Sequence, residues 1–209
     1  MRPSRRTTTS STHRDRPHDP PAMMQGTTLV TGATGFAGSH LLDKLADHAP
    51  LVAWYRPDGQ QPDPDRHIDW RPVDLLKPHA VAAAVEDAMP AQIFHIAGAA
   101  QVVSSFNSAV PHLQTNVLGT QHLLEAVRRS GRPCRILVVS SSLVYQVGDD
   151  PIHEGSPLVP STPYGLSKLA QDRLAACPVK LEHSLRRIEP DGADQSSKRI
   201  MAGAAGLVV

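Results

Sequence analysis

Thr27-Thr28-Leu29-Val30-Thr31-Gly32-Ala33-Thr34-Gly35-Phe36-Ala37-Gly38 is the stretch on which the fold turns. A β-branched and apolar run ends at Thr31, three glycines follow at intervals of three, and a segment of helical periodicity opens at Phe36. Gly32 permits a tight turn, Gly35 lets the backbone approach a pyrophosphate, and Gly38 lets the helix pack closely on the strand. The helix N-terminus then presents unpaired amides to an anion. Strand, glycine turn and helix in this order read as a dinucleotide-binding unit. The spacing is Gly-x-x-Gly-x-x-Gly rather than the commoner Gly-x-Gly-x-x-Gly.

Outward from this unit, short aliphatic runs alternate with helical segments. Strands are expected at 27–31, 51–55, 68–73, 92–95 and 135–140, and helices at 36–47, 78–88, 110–129 and 164–176. Such alternation predicts an α/β chain with a doubly wound parallel sheet, its ligand crevice beyond the carboxyl ends of the strands. Fourteen glycines and nineteen prolines punctuate the 209 residues, and aromatics are only 4%, so the core must be built from Leu, Val, Ile and Ala.

Charge and cysteine usage exclude other classes. Twenty-one Lys and Arg balance twenty Asp and Glu, so no field argues for nucleic acid or an anionic membrane. No apolar run approaches the roughly 20 residues of a membrane span. Cys134 and Cys177 suit neither a disulfide framework nor a metal cluster, and a cytoplasmic location is expected. Residues 1–26, with five Arg, four Pro and seven Ser or Thr before Met23, read as a disordered leader. Residues 27–176 form the expected domain. Residues 177–209 mix charges of both signs with Pro190 and Gly192, then turn small and apolar; they read as an atypical tail that could hold a short strand.

Two further positions carry chemistry. At the end of the second expected strand, Arg56 lies 24 residues after Gly32, where an acidic residue would hold a ribose 2′-hydroxyl and an Arg would accept a 2′-phosphate. NADP is therefore preferred over NAD, with Asp58 the competing reading. Tyr164 and Lys168 are four apart on an expected helix and share a face. An ammonium there favours the phenolate and makes Tyr164 usable as a proton acceptor or donor. Ser140-Ser141-Ser142 supplies hydroxyls at the carboxyl edge of the fifth strand.

Taken together, Thr31 to Gly38, Asp74-Leu75, His95-Ile96-Ala97-Gly98, Asn116-Val117-Leu118-Gly119-Thr120, Ser140 to Tyr145 and Pro163 to Lys168 resemble the extended short-chain dehydrogenase/reductases. Within these they are similar to the NAD-dependent epimerase/dehydratase family acting on nucleotide sugars. The resemblance spans 27–176 and implies a Rossmann-like domain. Residues 97–116 and 151–160 look most like the GDP-mannose dehydratase and GDP-4-keto-6-deoxymannose reductase branch. By position, the likeness implies Gly32, Gly35, Phe36, Ala37 and Gly38 at the pyrophosphate, and Asp74 with Leu75 at the adenine. Ile96, Ala97, Gly98 and Asn116 would line the cofactor crevice. Ser141, four before Tyr145, would polarise a substrate oxygen, and Tyr164 with Lys168 would be the acid/base pair.

Two departures qualify it. The dehydratases carry an acidic residue two positions after the catalytic Ser/Thr, where this chain has Leu143, so a reductase or epimerase is expected instead. The family's sixth strand and substrate lobe have no counterpart after Ala176. The expected sheet is therefore incomplete after its fifth βα unit, and the chain reads as C-terminally truncated. A cofactor-binding but inactive fragment, or a redox-sensing regulator, is the competing class. By resemblance alone, the partners are a nucleotide sugar and a second copy of the chain in a homodimer.

Overall fold

In the computed structural model, described residues are 26–47, 50–59, 62 and 67–177, together with the backbone of two strands at 186–187 and 206–208. β1 (Thr28–Thr31) is buried along its whole length, as befits a central strand flanked on both sides. It pairs in parallel with β2 (Leu51–Tyr55) on one side and β4 (Gln92–His95) on the other, Thr28 standing opposite both Leu51 and Gln92. β3 (Asp69–Pro72) extends the sheet beyond β2 and β5 (Arg135–Val139) extends it beyond β4, both in parallel. The chain thus winds one way from β1 to β3, then restarts on the other side of β1. That reversal creates a crevice at the carboxyl ends of β1 and β4.

Successive side chains leave the sheet on opposite faces, and the core divides accordingly. Leu29, Trp54, Ile93 and Ile136 pack with Val81 and Val85 of α2 (Pro78–Ala88) and Leu123 and Val127 of α5 (Gly119–Ser130). Val30 and Ala53, one residue away, pack with Leu42 and Leu45 of α1 (Phe36–Leu45) on the other face. α2 starts on Pro78, whose missing amide costs nothing at that position, and α5 stops at Gly131 in the left-handed region. α6 (Pro163–Ala176) is capped by Thr162, whose hydroxyl accepts from the Gly165 amide at 2.9 Å.

The helix expected over 110–129 is not regular. It comprises α4 (Val110–His112), a π-helical stretch Leu113–Leu118, and α5. α3 (Val102–Asn107) and a 3₁₀ turn Ser142–Val144 were not expected. Apart from Gly26, the expected leader lies outside the described residues, as does most of the tail. The two tail strands, β6 (Arg186–Arg187) and β7 (Gly206–Val208), are antiparallel: β7 sits on the free edge of β5, with Val138 opposite Leu207, and β6 pairs with β7. The order across the sheet is β3-β2-β1-β4-β5-β7-β6. Among the described residues, no helix is long and apolar enough to cross a membrane.

Candidate active site

The glycine turn is built by steric necessity. Gly32 has φ of 68°, and a Cβ placed on it would stand 2.7 Å from the backbone of Ala97 after β4. A Cβ on Gly38 would stand 2.3 Å from the Gly32 carbonyl oxygen and 2.8 Å from Ala33 Cα, so only glycine lets α1 approach β1 this closely. Gly35 caps α1 without a side-chain oxygen, and no acidic residue occupies the first turn. The amides at the start of α1 therefore face the crevice unclaimed by a carboxylate, a fit for the phosphates of a dinucleotide.

A cleft of about 1040 Å³ opens at this point. The sequence-predicted cofactor residues all line it: Gly32, Gly35, Phe36, Ala37 and Gly38 from the first turn, Arg56 after β2, and Asp74 with Leu75 after β3. Ile96, Ala97 and Gly98 follow β4, Asn116 comes from the π-helical stretch, and Tyr164 and Lys168 come from α6. Ser140 lines the cleft and Ser141 does not.

Asn116 is fully buried and holds the loop after β4 at two points. Its Oδ1 accepts from the Ala99 amide at 2.8 Å, and its Nδ2 donates to the Ala99 carbonyl at 3.2 Å and to Ser167 Oγ at 2.9 Å. The wider turn of the π-helix belongs with this inward-facing residue, a common placement of such stretches at functional sites. Arg56 is exposed, its Nε 2.7 Å from Asp58 Oδ1.

Lys168 is buried. Its Nζ donates to the Val139 carbonyl at 2.6 Å and to Gln171 Oε1. Burial disfavours the ammonium and brings its pKa down to about 8, with Asp172 one turn on pulling the other way. Ser140 Oγ donates to Asp172 Oδ2 at 2.5 Å. Ser141 Oγ accepts from the Leu143 amide at 3.2 Å, which leaves its own hydrogen to give. Two neighbours of Tyr164 and Lys168 escaped sequence reasoning. His112 donates Nε2–H to the Gln101 carbonyl at 3.0 Å and stands edge-on to the Tyr164 ring, centroids 6.2 Å apart. Gln171 sits one turn past Lys168; three residues on from it, the spacing alone could have flagged it.

The family model of the NAD dependent epimerase/dehydratase family matches residues 28–177. The chain belongs to that family. It is 36% identical over 149 residues to the GDP-6-deoxy-D-mannose reductase of Pseudomonas aeruginosa, covering 70% of this chain and 45% of that enzyme. It is 32% identical over 160 residues to the dTDP-glucose 4,6-dehydratase of Streptomyces antibioticus, covering 70% of this chain and 47% of the relative. Among solved structures, the UDP-glucose 4-epimerase of Brucella ovis in complex with NAD superposes with a TM-score of 0.68. It is 29% identical, and 75% of this chain covers 48% of that one. The chain thus spans about half the length of these relatives.

Proposed function

We propose that the chain carries the cofactor and proton-transfer half of an NADP- or NAD-dependent nucleotide-sugar epimerase or reductase. One observation carries the reading: a single cleft gathers the glycine turn after β1 and the Tyr164 and Lys168 pair of α6. The bound nicotinamide would supply a hydride acceptor and donor next to the sugar carbon. In this reading Tyr164 moves the proton of the sugar hydroxyl, taking it when the carbon is oxidised and returning it when the carbonyl is reduced. The Lys168 charge lowers the cost of the phenolate, and its remaining N–H would hold the nicotinamide ribose. Ser141, next to the cleft-lining Ser140, would donate its free hydrogen to the substrate oxygen, where negative charge grows during reduction. Leu143 brings no carboxyl group for elimination of water, which favours epimerisation or reduction over dehydration.

The preference for NADP rests on Arg56. Its exposed pair with Asp58 is worth about 0–1 kcal/mol, so a 2′-phosphate dianion can take the guanidinium from it. Fluorescence titration of the purified chain with NADPH and NADH is expected to give the lower Kd for NADPH, and Arg56→Ser to abolish the difference. Equal or tighter binding of NADH by the unaltered chain overturns the preference. The reaction is tested by following NADPH oxidation with a GDP-linked 4-keto sugar. Tyr164→Phe should lower the rate at least about 100-fold, the usual range for loss of a general acid. Undiminished turnover in that variant refutes the role of Tyr164.

A further inference from the structure

Behind Lys168 the interior holds a run of polar side chains that the cleft does not reach. Gln171, Thr120 and His95 are each buried to within 1% of full, and none of them lines the cleft. They join Lys168 of α6 to Thr31 at the end of β1 through four elements of the fold. Lys168 Nζ donates to Gln171 Oε1, Gln171 Nε2 donates to Thr120 Oγ1 at 2.8 Å, and Thr120 Oγ1 lies 2.9 Å from His95 Nε2. His95 Nδ1 lies 2.8 Å from Thr31 Oγ1, which also accepts from the Ala97 amide at 3.2 Å.

The direction of every bond in this run follows from its ends. An ammonium only donates, so the Gln171 amide must turn its oxygen to Lys168 and its NH₂ to Thr120. The Thr120 hydroxyl hydrogen goes to the Asn116 carbonyl at 2.7 Å, one helical turn back. Its oxygen therefore accepts from His95, which carries its proton on Nε2. The bare Nδ1 in turn accepts from the Thr31 hydroxyl, whose oxygen is left for the Ala97 amide. Each side chain of the run thereby meets a partner of the opposite kind on both sides. A second proton on His95 would strand the Thr31 hydrogen, and burial together with the Lys168 charge holds this imidazole neutral, its pKa brought down to about 3.

We propose that Gln171, held by Thr120 and through it by His95, is the positioning residue of Lys168: it fixes the inward donors of the ammonium so that the third faces the cleft. Thr120 and His95 act at one remove. Only the purpose of that third donor rests on the cofactor reading given above; the positioning itself does not. The charged or titratable groups near Lys168 are Asp172 and Tyr164 on its own helix and His95 from β4. Asp172 is itself engaged by Ser140 from the end of β5.

The test follows the titration of Lys168 in the full chain without cofactor, through its ¹³Cε resonance, assigned by its loss in Lys168→Met. The unaltered chain should titrate near pH 8. Thr120→Val, which never touches Lys168, frees the Gln171 amide to turn its NH₂ toward the ammonium. It should lower the midpoint by about one pH unit, a tenfold change in the ionisation constant. Gln171→Leu should do the same, and Thr120→Ser should restore the original midpoint. In the Gln171→Leu background, Thr120→Val should add nothing, because the hydroxyl acts only through Gln171. Thr120→Ala removes the same hydroxyl if the Val variant does not fold. An unmoved midpoint in a folded Thr120 variant overturns the proposal, as does an equal shift with and without Gln171. NADPH titration of the same proteins tests the cofactor reading separately: absent binding refutes that reading, while the Lys168 midpoints still decide the positioning.

Discussion

His95 gives the fold a specific sensitivity to acid. In the unfolded chain its imidazole takes up a proton near pH 6.5, whereas in the folded chain it does so only near 3, because burial and, secondarily, the Lys168 charge oppose the cation. Between those values the unfolded state binds a proton that the folded state refuses. Stability is therefore fully present above pH 6.5 and falls as the pH drops toward 3. Lowering the pH from 7.5 to 5 should cost about 2 kcal/mol through this one group. With a slope of about 2 kcal/mol per molar urea, that moves the unfolding midpoint by about 1 M. Carboxylates add their own acid loss, so the measurement is a difference against His95→Gln. This variant offers a donor and an acceptor in the same buried site but cannot take up a proton. It should be less stable than the unaltered chain at pH 7.5, and its deficit should shrink by about 2 kcal/mol at pH 5. A deficit that does not vary with pH would refute the buried neutral imidazole.

Gly38→Ala forces a Cβ against backbone atoms of the glycine turn and should lower stability by about 1–3 kcal/mol while abolishing NADPH binding. Gly131→Ala is the control: its φ of 64° strains an alanine by about 1 kcal/mol, but the space around it is open and it is remote from the cleft, so thermal melts should shift while binding persists. Thiol titration with a disulfide reagent at pH 8 should find Cys177, which is exposed, reacting quickly, and Cys134, half-buried and with its thiol pushed up to about 12 by desolvation, reacting much more slowly until denaturant is added.

Local chemistry made most of the sheet legible. β2, β4 and α2 begin and end where the sequence places them, because Pro50, Pro78 and the flanking polar residues punctuate apolar runs of clear period. The cleft was readable for the same reason: glycines at strand ends and residues four apart on a helix are short-range signals. α3 was missed because Val102-Val103-Ser104-Ser105-Phe106-Asn107 is rich in β-branched and hydroxyl residues and has only Ser105 buried; its helix comes from the surrounding fold rather than from propensity. The π-helical stretch was invisible because its extra residue per turn answers to a long-range demand. Asn116 must reach Ala99 and Ser167 at once.

The buried polar run shows why such long-range order resists a linear reading. Thr31, His95, Thr120 and Gln171 lie in separate segments of the chain, and each alone is an ordinary polar residue of a strand end or helix. Brought together they form a rod in which every bond has one permitted direction, set by the cation at Lys168 and by the Asn116 carbonyl that takes the Thr120 hydrogen. Leaving a buried polar group without its partner costs about 1–3 kcal/mol, so a change in one member of the run is felt by the next. Thr31 is the residue before Gly32, and the Asn116 carbonyl that receives the Thr120 hydrogen belongs to the residue that pins the loop at Ala99. The same bonds that orient Lys168 therefore also anchor the end of β1 and the π-helical stretch, which ties three of the cleft-forming segments to one buried support.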